Sequence, residues 1–247
     1  MNNYSIFITL CVLLFVPTAH ASGLLVSWDD WEGVVSPSQI DADFAEVGLS
    51  ASILYASNRV NASYGSNDGS FGNLLGASPA AGGLLVRALN SGKSPGGPDL
   101  AVRLKNESSF AYRVDSLHFD FSARSRPKKN AEHGFTGFDI VYSSGDLEDA
   151  GTLIGTAADL VLHDGGKTYD YPDFDIILSE QLRDTILEVG QSAVFLISFN
   201  GESEADVSSG IDNVAFKGSK VDIPEPSSCV MLASLWGFAC AARRRAT

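Results

Sequence analysis

Basic residues are scarce in this chain of 247 residues. It contains 17 Lys and Arg against 30 Asp and Glu, which gives a formal net charge of −13. Proteins that bind nucleic acid through a basic surface need an excess of positive charge, because contacts with phosphates supply most of the affinity. The composition therefore excludes nucleic acid as a partner of that kind.

Cysteine is nearly absent, and the three that occur lie near the two ends, at Cys11, Cys229 and Cys240. The body between residues 22 and 223 therefore has no disulfide, no thiolate metal site and no cysteine nucleophile. A body of about 200 residues buries enough apolar surface to fold without such cross-links. We expect its stability to come from the hydrophobic core.

Motifs of metal-dependent and sugar-cleaving enzymes are also missing. The sequence has no His-Glu-x-x-His pair, which would bind zinc on a helix. No glutamate begins the Glu-x-Asp-x-Glu pattern, by which sandwich-fold glucanases place two carboxylates side by side. We therefore expect a protein that is not an enzyme and has no catalytic residues.

The first 21 residues have the features of a secretory signal peptide. An almost wholly apolar run spans residues 6–16, and Pro17 follows it. Ala19-His20-Ala21 then places small residues at the two positions that signal peptidase reads, so we predict cleavage before Ser22. The run is shorter than the roughly 20 residues of a membrane-spanning helix. This segment predicts export and a signal helix that is removed.

The last residues form a second pattern. Pro224-Glu225-Pro226 precedes a short apolar segment, and Arg243-Arg244-Arg245 follows it at the carboxyl end. Together with an N-terminal signal, this combination resembles the PEP-CTERM sorting signal. The resemblance covers residues 224–247 and specifies an address rather than an activity of the body. We assign residues 221–247 to this sorting segment.

This resemblance implies how the protein is processed and where it goes. In PEP-CTERM proteins, an exosortase in the membrane recognises the tail and removes it. The short C-terminal helix would anchor the chain in the inner membrane only until then. The family implies a Gram-negative bacterium that makes exopolysaccharide, with the mature protein at the cell surface or in the extracellular matrix.

The body between the two ends predicts β-structure. Apolar residues occupy every second position, first the even-numbered Phe110, Tyr112 and Val114 and then the odd-numbered Leu117, Phe119 and Phe121. Such a change of phase is typical of a bulge or sharp bend. Residues 194–199 are apolar on both parities, which predicts a strand covered on both faces. Short strands with glycine turns between them predict an all-β fold, a single antiparallel β-sandwich over residues 22–220.

The final strand adds a weaker resemblance. Residues 211–216, Ile-Asp-Asn-Val-Ala-Phe, are similar to the closing strand of jelly-roll carbohydrate-binding modules and of many PEP-CTERM ectodomains. The resemblance implies a jelly-roll-like sandwich, in which Asp212 occupies a position that often helps to bind a structural ion. Asp68, in an Asn-Asp-Gly turn, is the other candidate ligand for structural calcium, since Ca²⁺ prefers carboxylate and carbonyl oxygens.

Two further pairs of residues are candidates for a site. His118 and Asp120 lie two residues apart, on one side of a predicted strand, where a solvated polar face competes with a metal or proton site. Trp28 and Trp31 fall on opposite faces if both lie on a strand, so at most one is expected in the core. The other tryptophan would then be free to stack on a sugar ring.

These observations support three functional hypotheses. The first is a non-catalytic surface or matrix protein that is sorted by an exosortase and associates with exopolysaccharide. The second is a carbohydrate-binding, lectin-like module with a defined site. The third, and least supported, is a glycoside hydrolase of the envelope. The sequence names neither the sugar nor the oligomeric state.

Overall fold

The structure is a computed structural model of the chain. It describes residues 22–31, 39–55, 60–63, 65–77, 83–87, 99–122, 124–125, 134–160, 163–164, 171–201 and 208–221. The predicted signal segment, residues 1–21, and the predicted sorting segment, except for Val221, lie outside these residues. The described residues up to Lys220 belong to one compact unit, His20–Lys220.

The described residues form eighteen strands and one short 3₁₀ helix, Leu178–Glu180. In chain order the strands are β1 (Gly23–Trp28), β2 (Gln39–Asp41), β3 (Phe44–Ala45), β4 (Leu49–Leu54), β5 (Val60–Ser63), β6 (Ser70–Phe71), β7 (Leu74–Leu75), β8 (Gly83–Arg87), β9 (Asp99–Asn106), β10 (Ala111–Ser122), β11 (Arg124–Ser125), β12 (Gly137–Gly145), β13 (Thr152–Ala157), β14 (His163–Asp164), β15 (Asp173–Ile177), β16 (Ile186–Leu187), β17 (Ser192–Asn200) and β18 (Ser208–Val221).

Two antiparallel sheets contain most of these strands. The six-stranded sheet has the order β13-β12-β17-β9-β4-β2. In the eight-stranded sheet the order β15-β10-β18-β1-β3 forms the main path, β16 pairs with β10, and β5 and β8 extend from β18. Two small sheets pair β6 with β7 and, in parallel, β11 with β14. The prediction of an antiparallel β-sandwich is confirmed.

The core lies between the two large sheets and is rich in aromatic rings. Phe138 of β12 contacts Phe119 and Phe121 of β10, at centroid distances of 5.1 and 5.6 Å, and Phe174 of β15 at 4.9 Å. Phe138, Phe119 and Phe121 are fully buried. Edge-to-face packing of this kind is favourable beyond the area it buries. The alternating apolar residues of the sequence therefore meet across the sandwich.

The change of phase in β10 is confirmed. Tyr112 and Val114 belong to the core on one parity, and Leu117 belongs to it on the other, within one continuous strand. Strand β18 changes phase in the same way, because Ile211 and Val214 both belong to the core. There Asn213 has a φ of +48°, a conformation that asparagine tolerates better than most residues.

One local prediction is wrong. Residues 194–199 lie in the central strand β17, where buried and partly exposed side chains alternate, so only one face is covered by the core.

Among the residues described above, no helix has the length and apolar character to cross a bilayer. The predicted signal helix and C-terminal anchor fall on residues that the structure does not describe.

Candidate functional site

The polar face of β10 is buried, although the sequence allowed a solvated face. Ser116, His118, Asp120 and Ser122 all have less than a tenth of their surface exposed. Residues 65–77, here called the covering segment, approach this face and include the hairpin β6–β7. The backbone N–H of Gly72 in that hairpin donates to Asp120 Oδ1 at 3.0 Å. The covering segment therefore lies over Asp120.

Glycine at position 72 allows this close approach. Its φ is +52°, and a Cβ atom there would lie 2.6 Å from Asp175 Oδ1 and 2.9 Å from the carbonyl oxygen of Phe174. A larger residue would push the hairpin away from β15 and so from Asp120. The turn at Gly72 thus positions a backbone donor over the buried carboxylate.

Three side chains on this face form a hydrogen-bonded chain. Ser116 Oγ lies 2.6 Å from His118 Nε2, and His118 Nδ1 is hydrogen-bonded to Asp175. Burial lowers the pKa of His118, against the opposing effect of Asp175, so the imidazole is neutral at pH 7. The order Ser, His, Asp is that of a nucleophilic triad. Ser116, however, is only 4% exposed at the centre of a strand, so this chain fits a structural role.

Three carboxylates meet beside this chain in what we call the acidic cluster, Asp68, Asp120 and Asp173. One carboxylate oxygen from each lies within 4.8 Å of the others. Asp120 and Asp173 are register partners on β10 and β15, and Asp68 comes from the covering segment. Burial, with a smaller effect of the neighbouring Asp68 and Asp173, raises the pKa of Asp120 to about 8, against the donors Asn213 and Gly72. With that pKa, Asp120 is mostly protonated at pH 7 while no cation is bound.

Asn213 of β18 completes the surroundings of the acidic cluster. Its Nδ2 donates to Asp120 Oδ2 at 2.7 Å. Its Oδ1 is buried and has no hydrogen-bond partner. A buried amide oxygen without a partner is uncommon and calls for a physical explanation.

Asp212, the other calcium candidate, is surrounded by hydrogen-bond donors. Its Oδ1 accepts from Trp31 Nε1 at 2.6 Å and from the backbone N–H of Asn213 at 2.9 Å, and its Oδ2 accepts from the backbone N–H of Ser66 at 2.7 Å. Burial raises its pKa to about 7, against these donors. In this arrangement Asp212 ties Trp31 and the covering segment to β18, whereas Asp68 belongs to the acidic cluster.

Both candidate tryptophans are fully buried, so the expectation that at most one is core is wrong. Trp28 ends β1, and its Nε1 donates to the carbonyl oxygen of Ile40 at 3.4 Å. Trp31 lies beyond the strand, and the alternation of faces therefore does not apply to it. Neither ring has a face open to a sugar.

The outer face of the six-stranded sheet has a different character. One residue from each of five adjacent strands, β13, β12, β17, β9 and β4, forms a cross-strand row that we call the apolar row: Leu153, Val141, Leu196, Ala101 and Leu54. Leu153 is half exposed and the other four are partly exposed. This row could not be predicted from the sequence, because each strand contributes only one member to it.

Polar residues flank the apolar row on both sides. Asp139, Ser198 and Asp99 are register partners on one side. Arg103, Ser52 and Asp41 are register partners on the other. An aliphatic strip between hydrogen-bonding groups of both kinds suits a ligand with apolar faces and polar edges.

The sequence also contains a pattern that occurs in one class of hydrolases. Gly92-Lys93-Ser94-Pro95-Gly96 matches the Gly-x-Ser-x-Gly elbow of α/β-hydrolases and lies outside the described residues. That elbow works between a strand and a helix of an α/β sheet. The large sheets here are antiparallel, with no α-helix among the described residues.

Comparisons with known proteins show distant structural likeness. A carbohydrate-binding module with specific mannan recognition is 15% identical, with 81% of this chain and 99% of that chain covered, at a TM-score of 0.39. The K3 adhesin domain of Lys-gingipain from Porphyromonas gingivalis is 11% identical, with 80% and 99% covered, at 0.39. A family 11 carbohydrate-binding module from Clostridium thermocellum, solved with a mixed-linked tetrasaccharide, is 11% identical, with 81% and 96% covered, at 0.32.

No family model and no curated protein matches the chain. At the identities and TM-scores given above, the function of this chain has to be argued from its own residues.

Proposed function

We propose that this chain is a non-catalytic carbohydrate-binding protein of the bacterial cell surface or extracellular matrix. The observation that carries the proposal is the apolar row on the outer face of the six-stranded sheet, with its polar flanks. The buried tryptophans have no part in binding. The location in this proposal rests on the predicted signal and sorting segments.

A sugar chain matches this surface chemically. Sugar rings have C–H faces, which pack on aliphatic side chains, and hydroxyl edges, which donate to carboxylates and accept from arginine. Asp99 and Arg103 are exposed on opposite flanks of the row. Five strands at a spacing of about 4.8 Å make the row about 19 Å long. This length favours an oligosaccharide over a single sugar.

The negative charge of the protein favours neutral glycans over acidic ones. With a net charge of −13, the chain repels polyanions, over a screening length of about 10 Å at 0.1 M salt. We therefore expect neutral polysaccharides to bind better than acidic ones.

Replacing Leu196 with serine tests the apolar row. Leu196 lies at its centre, so we expect the dissociation constant for a neutral glycan ligand to rise at least about tenfold. The measurement is calorimetric titration of the full chain with soluble mannans and β-glucans, beside alginate as an acidic polysaccharide. Val189→Ser is the matched control, because Val189 is a half-exposed aliphatic residue in the turn after β16.

Binding of neutral glycan that is unchanged in Leu196→Ser would place the site elsewhere and contradict the proposal. So would tighter binding of alginate than of every neutral glycan, or an absence of binding across a broad panel of neutral polysaccharides.

The proposed processing and location have a separate test, which is the mass of the mature protein. We expect the native protein to begin at Ser22 and to lack Arg243, Arg244 and Arg245, because signal peptidase and an exosortase would have removed the two ends. Mass spectrometry of the surface fraction measures both ends at once. An intact arginine-rich end in most molecules would contradict sorting by an exosortase and would leave glycan binding untouched.

A further inference from the structure

The acidic cluster combines two features that are unfavourable without a ligand. Three carboxylates lie together, and one of them, Asp120, has no exposed surface. The hydrogen bonds that Asp120 accepts come from neutral groups, the Gly72 N–H and the Asn213 amide. Ionised carboxylates at this distance repel one another, and burial strengthens the repulsion.

Asn213 provides an independent observation at the same place. The oxygen and nitrogen of one carboxamide are about 2.2 Å apart by covalent geometry. Since Asn213 Nδ2 lies 2.7 Å from Asp120 Oδ2, the unpartnered Oδ1 lies within about 5 Å of that carboxylate. A buried oxygen with no donor beside a buried carboxylate is explained if both bind a cation.

We propose that Asp68, Asp120, Asp173 and Asn213 form a calcium site that fastens the covering segment onto the eight-stranded sheet. The four residues provide only oxygen ligands, the set that hard divalent cations prefer. Ca²⁺–oxygen distances of about 2.3–2.6 Å allow ligand oxygens to be up to about 5 Å apart. The 4.8 Å limit for the three carboxylates falls within that span.

The site differs from the one expected at Asp212. Asp212 is not among the carboxylates that lie within 4.8 Å of one another, and it accepts three N–H donors, so Asp212 supports the site through Trp31 and the covering segment. The proposed ligands come from four separate parts of the chain: the covering segment, β10, β15 and β18. A cation there would join the covering segment to three strands of the sheet.

The test is the response of the full chain to calcium alone, after treatment with a chelator. At a calcium concentration one hundred times the dissociation constant, we expect the melting temperature to rise by about 5–10 °C. Calorimetric titration with CaCl₂ should give one site per chain. Magnesium at the same concentration should give a smaller shift, because its shorter bonds demand a tighter octahedron.

Two substitutions separate ligand binding from folding. Asp120→Asn keeps the size of the side chain and removes the charge, so it should fold in chelator and lose the calcium-dependent shift. Asn213→Gly accommodates the positive φ and removes the oxygen, so it should weaken calcium binding at least about tenfold. Asp115→Asn, on β10 outside the cluster, is the matched control and should respond as the wild type does.

The proposal is overturned if calcium neither binds nor raises the melting temperature of the wild type. An equal calcium response in Asp120→Asn, or an equal response to magnesium in the wild type, would also overturn it. Unchanged affinity in Asn213→Gly would remove Asn213 from the site. None of these outcomes depends on glycan binding, so the two proposals stand or fall separately.

Discussion

Replacing Trp31 with alanine is expected to lower the free energy of unfolding by about 3–5 kcal/mol. Trp31 is fully buried, and its indole N–H donates to Asp212 Oδ1 at 2.6 Å. The substitution opens a cavity in the core and also removes a donor from a buried carboxylate. Chemical denaturation of the full chain, followed by circular dichroism, measures the loss.

Trp31→Phe separates the two contributions to this loss. Phenylalanine retains most of the ring and lacks the N–H, so we expect about 1–3 kcal/mol for the hydrogen bond that the buried carboxylate of Asp212 loses. If Trp31 instead lay on the surface and stacked on a sugar, both variants would be nearly as stable as the wild type. A loss below about 0.5 kcal/mol in Trp31→Ala would therefore contradict the structure.

Gly218→Ala is expected to cost about 3 kcal/mol or more, or to prevent cooperative folding. A Cβ atom at Gly218 would lie 2.0 Å from the carbonyl oxygen of Arg113 and 2.6 Å from Leu25 Cδ1. The carbonyl cannot move aside easily, because β10 is paired with β18, β15 and β16. Thermal unfolding of the variant measures the cost.

Gly23 supplies the matched control, because it is the register partner of Gly218 between β1 and β18. Nothing lies within 4 Å of a Cβ atom built at Gly23. Gly23→Ala should therefore stay within about 0.5 kcal/mol of the wild type. Equal losses in the two variants would show that β10 and β18 do not approach each other as closely as the structure has them.

The sequence was sufficient to predict the fold class because the strands alternate clearly. Phe138 and Ile140 alternate with Asp139, and all three lie in β12 with the two apolar residues in the core. The failure at residues 194–199 has a physical cause. Val194 and Leu196, which belongs to the apolar row, both face outward and are partly exposed, so two outward aliphatic residues gave the pattern of a strand buried on both faces.

The candidate calcium site was only partly predictable. Asp68 was identified from its turn, but nothing in the sequence pairs it with Asp120 and Asp173. That pairing depends on the register of β10 with β15 and on the position of the covering segment. Likewise, the alternation of apolar residues in β10 predicts that Asp120 faces away from the core, but it does not predict which segment covers Asp120. Contacts between distant segments are set by the tertiary fold, which local patterns do not encode.

The pairing of β1 with β18 also has a consequence for the order in which the protein folds. Strand β1 is the first described strand, and its partner β18 is the last. A chain that emerges from synthesis or translocation amino end first must hold β1 without a partner until the other strands have appeared. Contacts between such distant segments also slow folding. We therefore expect the eight-stranded sheet to close late, after its last strand has emerged, with Trp28 and the edge of β1 exposed to holding chaperones until then.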